Sequence, residues 1–228
     1  LSINLLKKKN IIYVTDTEQL KNHFKKKFEI YAHVLPIPNK INSISILKKI
    51  KNKKIKLLFP GKARDEKGIN SIINLFNNEI EPKKIEFKFS KNQKILKFLK
   101  NISGLKLNPL NKNLSYKDYI ISLKQSDIVI LPYDHKTYML RSSGVFVDAI
   151  KLNKFCFVSK NTWMATILKN NKLEFCIMND WRIDILIKKI EYYEKNYLKI
   201  KKNFSKMHKK IFNENSEINF INSIKQLF

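Results

Sequence analysis

Between residues 55 and 180, apolar runs of four to six residues alternate with longer stretches whose apolar side chains recur three and four positions apart. A short continuous apolar run suits a buried strand and a 3.6-residue period suits a helix, so the alternation predicts βαβ units closing on a parallel sheet. Strands are expected at Ile55–Phe59, Ile85–Phe89, Leu105–Leu107, Ile128–Leu131, Phe155–Val158 and Phe175–Met178. The intervening helices carry Ile69, Ile72, Ile73, Phe76 and Ile80, then Ile95 to Leu99, then a capping box at Ser115-Tyr116-Lys117-Asp118. Further helices should start near Ser143 and after Thr162. The expected fold class is α/β, a doubly wound parallel sheet with a helical carboxyl-terminal tail.

The flanks divide from this core. Residues 1–38 read as a small separate unit, with a strand at Ile11–Val14, a helix after Asp16-Thr17 and a strand at Tyr31–Leu35. Pro36-Ile37-Pro38-Asn39 then forces an extended exit, because each proline disfavours helix in the residue before it. Residues 39–53 read as a linker, 54–180 as the sheet domain and 181–228 as terminal helices expected to cross back toward an amino-terminal domain of which residues 1–38 are the remnant. Ile183, Leu186, Ile187, Ile190 and Tyr197 put one apolar face on that tail, which must be covered by something. A chain of 228 residues with 43% hydrophobic residues can bury one full core and a fragment of a second. It begins at Leu1 and not at a methionine, so a piece of something longer is expected.

Charge excludes less than it suggests. The 46 Lys and Arg against 19 Asp and Glu give +27, a balance that draws a chain toward nucleic acid or anionic membrane. Only Arg64, Arg141 and Arg182 are arginine, however, and lysine is spread through almost every segment beside abundant Asn and Ile, as AT-rich codons produce. Nucleic acid is therefore not the expected partner. Cys156 and Cys176 sit in apolar runs and read as reduced core thiols of a cytosolic protein. His23, His33, His135 and His208 lack ligand spacing, so no metal is expected. With no signal peptide and no apolar run of 18 residues, the expected location is cytoplasmic, with the lysine-rich surface drawn peripherally to anionic lipid at the inner face of the cell membrane.

Glycine and arginine localise the function. Of four glycines, Gly61 and Gly68 bracket a turn after the strand ending at Phe59, and Gly144 follows Arg141-Ser142-Ser143 at another helix start. Glycine permits positive φ or close approach of a ligand to the backbone. In a parallel sheet both turns lie at the carboxyl edge, where such folds bind ligands. Arg64 and Arg141 fall in the same two turns, and arginine grips phosphate or carboxylate bidentately. Helix amino termini add unpaired N–H groups, so the joint placement predicts a phosphate site. Tyr138 and His135, on the loop after Pro132, are candidates to touch a ligand, although an isolated histidine there is expected to face solvent. Trp163 and Met164 are expected to pack rather than stack on a base.

Two segments resemble a known family. Phe59-Pro60-Gly61-Lys62 followed by Glu66-Lys67-Gly68 is similar to the Gly-Arg-x-x-x-Glu-Lys-Gly loop that opens the carboxyl-terminal domain of group 1, family 4-like, glycosyltransferases of the GT-B fold. Asp127 to Tyr133, then Tyr138, then Arg141 to Ala149, resembles the same family's strand ending in Leu-Pro, its glycine-containing turn and its acidic residue before Ala. The likeness spans about residues 55 to 170.

The resemblance implies a Rossmann-like half of a GT-B fold. It also implies that Lys62 and Lys67 contact the donor diphosphate and stabilise charge on the departing nucleotide. Gly61, Arg64, Tyr138, Arg141, Ser142, Ser143, Gly144 and Val145 complete the expected donor-binding set, and Asp148 stands where the second Glu of the Glu-x7-Glu motif holds ribose hydroxyls. The first Glu is absent, its position falling at Leu140. No Asp-x-Asp metal motif occurs, so the chemistry is expected to be metal-independent and to need no cofactor beyond the nucleoside-diphosphate-sugar donor. A retaining transfer to a glycan, lipid-linked or small acceptor follows from the family, with the acceptor side supplied by a missing amino-terminal domain and this fragment inactive alone. A non-catalytic nucleotide-sugar module and a basic RNA- or membrane-associated protein are the alternatives.

Overall fold

The computed structural model describes residues 11–41, 47, 54–62, 64–77 and 85–227. The small unit is β1 (Tyr13–Thr15), α1 (Glu18–Phe28) and β2 (Ala32–Val34), with the two strands paired in parallel. Thr17 caps α1 by accepting from the Leu20 amide, the local reason the helix starts there.

The main body is a six-stranded sheet built from β3 (Ile55–Phe59), β4 (Ile85–Ser90), β5 (Lys106–Leu110), β6 (Ile128–Leu131), β7 (Phe155–Ser159) and β8 (Ile177–Met178). Its order is β5-β4-β3-β6-β7-β8 and every neighbouring pair is parallel. The chain winds outward from β3 in one direction and from β6 in the other, so the winding reverses between them. Leu57, Leu58, Phe59, Val129, Ile130 and Leu131 are fully buried, as a sheet covered on both faces requires. Each such side chain contributes about 1.5–3 kcal/mol by leaving water.

Strands return through α2 (Ile69–Leu75), α3 (Gln93–Leu99), α4 (Tyr116–Gln125), the short α5 (His135–Tyr138), α6 (Gly144–Lys151) and α7 (Trp163–Asn170). Asn92, Ser115, Ser143 and Thr162 each accept from a backbone amide three residues on, capping α3, α4, α6 and α7. Each such cap is worth about 1 kcal/mol, and together they fix the helix starts on the carboxyl edge of the sheet.

The expected Phe175–Met178 strand is shorter in the molecule. Glu174–Cys176 forms a 3-10 turn and only Ile177–Met178 joins β7, because Phe175 turns to meet the rings of Phe155 and Phe157 at 6.0 and 6.3 Å. The strand expected at Leu105–Leu107 runs over Lys106–Leu110 and includes Pro109, which an edge strand tolerates. Ile80 lies outside the described residues. The segment after Pro132, read as a loop, contains α5, capped by Asp134.

The tail forms α8 (Ile183–Lys195), α9 (Tyr197–Glu214) and α10 (Glu217–Lys225). Its apolar face is covered by this same domain: Phe155 meets Tyr193 at 4.5 Å and Phe204 at 4.8 Å. The tail also reaches the exit of the small unit, where the Asn39 amide donates to Asn215 O at 2.9 Å and Asn215 Nδ2 donates to Ile37 O at 3.0 Å. Among the described residues, no helix is long and apolar enough to cross a membrane.

Candidate anion-binding site at the switch point

The loop after β3 is shaped by two glycines. Gly61 and Gly68 both have φ of +81°, a conformation that residues with a Cβ rarely adopt. Gly68 closes the 3-10 turn Asp65–Lys67 and opens α2, and a Cβ there would stand 1.9 Å from the Pro132 carbonyl oxygen. The β3 loop therefore lies directly against the β6 loop. The Asp134 amide donates to Glu66 O at 2.9 Å and joins them a second time.

On the β6 side, Tyr133 is buried with its ring 4.5 Å from that of Tyr138, and the Arg141 guanidinium lies 5.7 Å from the Tyr138 ring centre. The Lys67 ammonium lies 5.5 Å from the Tyr133 ring centre. Burial pushes the Tyr133 phenol up, and Ser143 is close enough to oppose that shift although the hydroxyl makes no hydrogen bond of normal geometry. Tyr138 is itself buried, whereas the His135 side chain is 55% exposed beside Asp134.

The helix that follows presents its start to this edge. Ser143 caps α6 by accepting from Phe146 N at 3.2 Å, which leaves the amides of Gly144 and Val145 ahead of the first intrahelical acceptor. A Cβ built on Gly144 meets nothing within 4 Å, and its φ lies outside the left-handed range. The fold itself does not ask for glycine there. Ser142 Oγ donates to the Asp16 carboxylate and Thr17 Oγ1 donates to Leu140 O at 2.7 Å, so the small unit docks beside the same turn.

Electrostatics complete the geometry. The Lys67 ammonium is held below its ordinary value, first by burial and then by the neighbouring Arg64 and Arg141, with Glu66 acting in the opposite sense. Arg64 pairs with Glu66 at 3.0 Å. Among the described residues, neither Lys67 nor Arg141 has a carboxylate within ion-pair distance. Three cations gather here, one of them paired with Glu66, while the Asp16 carboxylate lies at Ser142, so positive charge remains in excess. Lys62 is exposed on the loop outside this group. A helix amino terminus attracts an anion by about 0.3–1 kcal/mol, whereas a hydrogen bond to a charged group is worth about 1.5–3 kcal/mol. For an anion held here, the cations would outweigh the helix end.

Asp148, one turn into α6, has a different setting. Its Oδ2 accepts from Tyr119 OH at 2.7 Å and its Oδ1 accepts from Asn39 Nδ2. Lys151, one further turn along the same face, is 1% exposed and donates to Asn39 O at 2.8 Å. Sequence reasoning passed over Asn39, Tyr119 and Lys151. The only available signal was the three-residue spacing of Asp148 and Lys151.

A cleft of about 440 Å³ opens between the small unit, the starts of α6 and α7, and α9. It is lined by Asp16, Ser142, Gly144, Trp163 and Lys210 among others, and it takes in neither Arg64, Lys67 nor Arg141. The cation group is the better guide to anion chemistry, because charge and open amides converge there, while the cleft touches it only through Ser142 and Gly144. Trp163 packs edge-on to Phe146 at 5.8 Å and Met164 is fully buried. Among the described residues, no group of three or more His, Cys, Asp or Glu is placed to hold a metal.

No family model matches the chain, and no curated protein matches it in sequence. Solved structures do match in fold. HepE from Anabaena, solved with UDP-glucose, is similar with a TM-score of 0.68 at 13% identity, over 99% of this chain and 65% of that one. A glycosyltransferase from Rickettsia africae gives 0.65 at 14% identity over 95% and 62%, and sucrose-phosphate synthase from Thermosynechococcus elongatus gives 0.65 at 8% over 99% and 59%. At such identities the likeness carries the architecture, that of a Rossmann-like half of a GT-B fold. The chain spans about three fifths of the length of these structures.

Proposed function

We propose that the chain is the donor-binding part of a glycosyltransferase that draws its sugar from a nucleoside diphosphate sugar. The observation that carries this reading is the gathering of Arg64, Lys67 and Arg141 at the switch point, beside the open amides of α6. A sugar-linked diphosphate brings two negative charges, which the local excess of cations suits. When the sugar-phosphate bond breaks, charge grows on the departing diphosphate. Donors already aimed at that position lower the barrier by about 3–4 kcal/mol each in comparable sites. Lys67 and the exposed Lys62 fit this leaving-group role, Arg64 and Arg141 hold the phosphates, and Ser142, Ser143, Gly144 and Val145 present the helix end. These fixed cations supply what a divalent metal supplies in other transferases, so we propose a metal-independent reaction.

Retention of configuration and transfer to a glycan or lipid-linked acceptor rest on the family resemblance alone. On this reading the acceptor is held by further amino-terminal structure, and this chain binds donor without turning it over. The lysine-rich surface suits peripheral contact with anionic lipid. A second reading, a nucleotide-sugar-binding module without catalysis, is favoured by Leu140 standing where the family has its first acid.

Calorimetric titration with UDP, GDP and ADP, with and without EDTA, tests the first step. We expect binding of a nucleoside diphosphate that EDTA leaves unchanged and that both Lys67→Ala and Arg141→Ala weaken. Equal binding by wild type and both variants would remove the basis for the assignment. Sugar transfer by a longer chain, scored by nucleotide release, separates the enzyme from the binding module.

A further inference from the structure

One residue outside the donor loops has every polar group engaged. The Asn39 amide donates to Asn215 O at 2.9 Å, its carbonyl oxygen accepts from Lys151 Nζ at 2.8 Å, its Oδ1 accepts from Ile41 N at 2.8 Å, and its Nδ2 donates to Asp148. These four bonds reach three parts of the molecule: the junction of α9 and α10, the second half of α6, and the segment that continues toward β3. Asn215 returns a further bond to Ile37 O.

We infer that Asn39 is a positioning residue, the node that ties the exit of the small unit to α6 and to the terminal helices, and thereby sets the aim of the α6 amino terminus. Asp148 and Lys151 are its partners on one face of α6. A buried ammonium is costly unless matched. Lys151 has its match in the Asn39 carbonyl, with the Phe212 ring 4.9 Å away and Asp148 and Glu217 acting on it electrostatically. Asp148 is equally committed, with one oxygen to Asn39 and the other to Tyr119. Burial pushes its carboxyl up, while the bonds from Tyr119 and Asn39 and the Lys151 charge oppose the shift.

The node matters for ligand because of where it pulls. Among the described residues, two hydrogen bonds join the small unit to the anion loop, Asp16 with Ser142 and Thr17 with Leu140. Both are adjacent to the start of α6. With residues 37–41 held to the body of α6, these contacts are held in register with Gly144 and Val145. Releasing Asn39 frees the small unit and α6 to shift against each other, and the amides lose their aim.

The test is a swap in the 228-residue chain. Asn39→Asp sets a carboxylate against Asp148, and we expect the melting temperature to fall by about 5–10 °C, since a half-buried bond to a charged group is replaced by repulsion. Cleavage by a protease between residues 36 and 41 should quicken in parallel. Adding Asp148→Asn to that variant exchanges donor and acceptor, and it should restore most of the melting temperature and bring the nucleotide dissociation constant back from at least threefold weaker toward wild type. Recovery of both supports the node. Recovery of neither overturns it. Recovery of melting temperature without recovery of nucleotide binding overturns the positioning role, because Asp148 would then touch the nucleotide itself. The inference rests on the proposed function only for the nucleotide measurement, made with whichever of UDP, GDP and ADP the wild-type chain binds: a chain that binds none of them sinks that function, and the swap is then decided by melting and proteolysis.

Discussion

Two clusters of ionisable residues sit within one helix length of each other and are built on opposite plans. At the start of α6, Arg64, Lys67 and Arg141 crowd together with a single carboxylate among them, and the Lys67 ammonium is held below its usual range by burial and by its neighbours' charge. In the second half of the same helix, Asp148 is half-buried and Lys151 buried, with their charges and hydrogen bonds matched through Asn39 and Tyr119. Burial without matching is expensive, and of the three cations only Lys67 is partly withdrawn from water, Arg64 and Arg141 being exposed. The matched cluster holds structure, and on the proposed function the other takes an anion. Substitutions should therefore separate cleanly, costing stability at one and affinity at the other.

Four changes can break or sharpen that contrast. The largest effect is expected at Gly68, where a methyl group would overlap the Pro132 carbonyl in a left-handed backbone. Gly68→Ala should destabilise the fold by roughly 3–4 kcal/mol, a fall of about 10 °C in melting temperature, measured by calorimetry. Next come Lys67→Ala and Arg141→Ala. Each should weaken nucleoside diphosphate binding about 10- to 100-fold while the melting temperature holds or rises, because a repulsion is relieved. A large loss of stability in either would place these cations with the structural cluster instead.

Gly144→Ala is the sharper probe. Nothing stands within 4 Å of the new methyl group, so the folded chain should gain about 0.5–1 kcal/mol as helix replaces glycine. Affinity should nevertheless drop by about fivefold, because the phosphate loses its close approach to the amide. Unchanged affinity would move the ligand away from this helix end.

The smallest effect is in pH. Lys67 has a lowered free-state value, and a bound diphosphate raises it again, so binding takes up protons between the two values. Affinity should be full below the free-state value and decline as pH rises through it. Titration in two buffers of different ionisation enthalpy measures the uptake. Folding runs in the opposite sense: the penalty on charged Lys67 is present below its lowered value and fades toward 10.5, where the unfolded residue also loses its proton, so stability rises with pH across that window.

Much of this was readable from residue order, for local reasons. The run Asp127 to Pro132 announces a buried strand, Ser115, Ser143 and Thr162 announce helix starts, and both glycine turns fall at the carboxyl ends of strands. Arg64 and Arg141 stand out because the chain otherwise uses lysine. Asn39 was legible only as part of an extended exit, since each of its long-range partners lies more than a hundred positions away. Lys151 looked like one more surface lysine. Arg64, not the motif-matched Lys62, joins Lys67 in the charged group, because the 3-10 turn at Asp65–Lys67 folds Arg64 back toward Glu66. Phe175 reads as a strand residue until its aromatic neighbours pull it into a turn.

The pairing of β3 with β6 has a consequence for what this site can become. The two grips hang from adjacent strands, whose spacing of about 4.8 Å is dictated by main-chain hydrogen bonds and not by any side chain. Mutation can change what each grip holds, its charge, reach or selectivity. The distance between their roots is a gauge cut into the backbone, and descendants of this sequence inherit it for as long as the sheet survives.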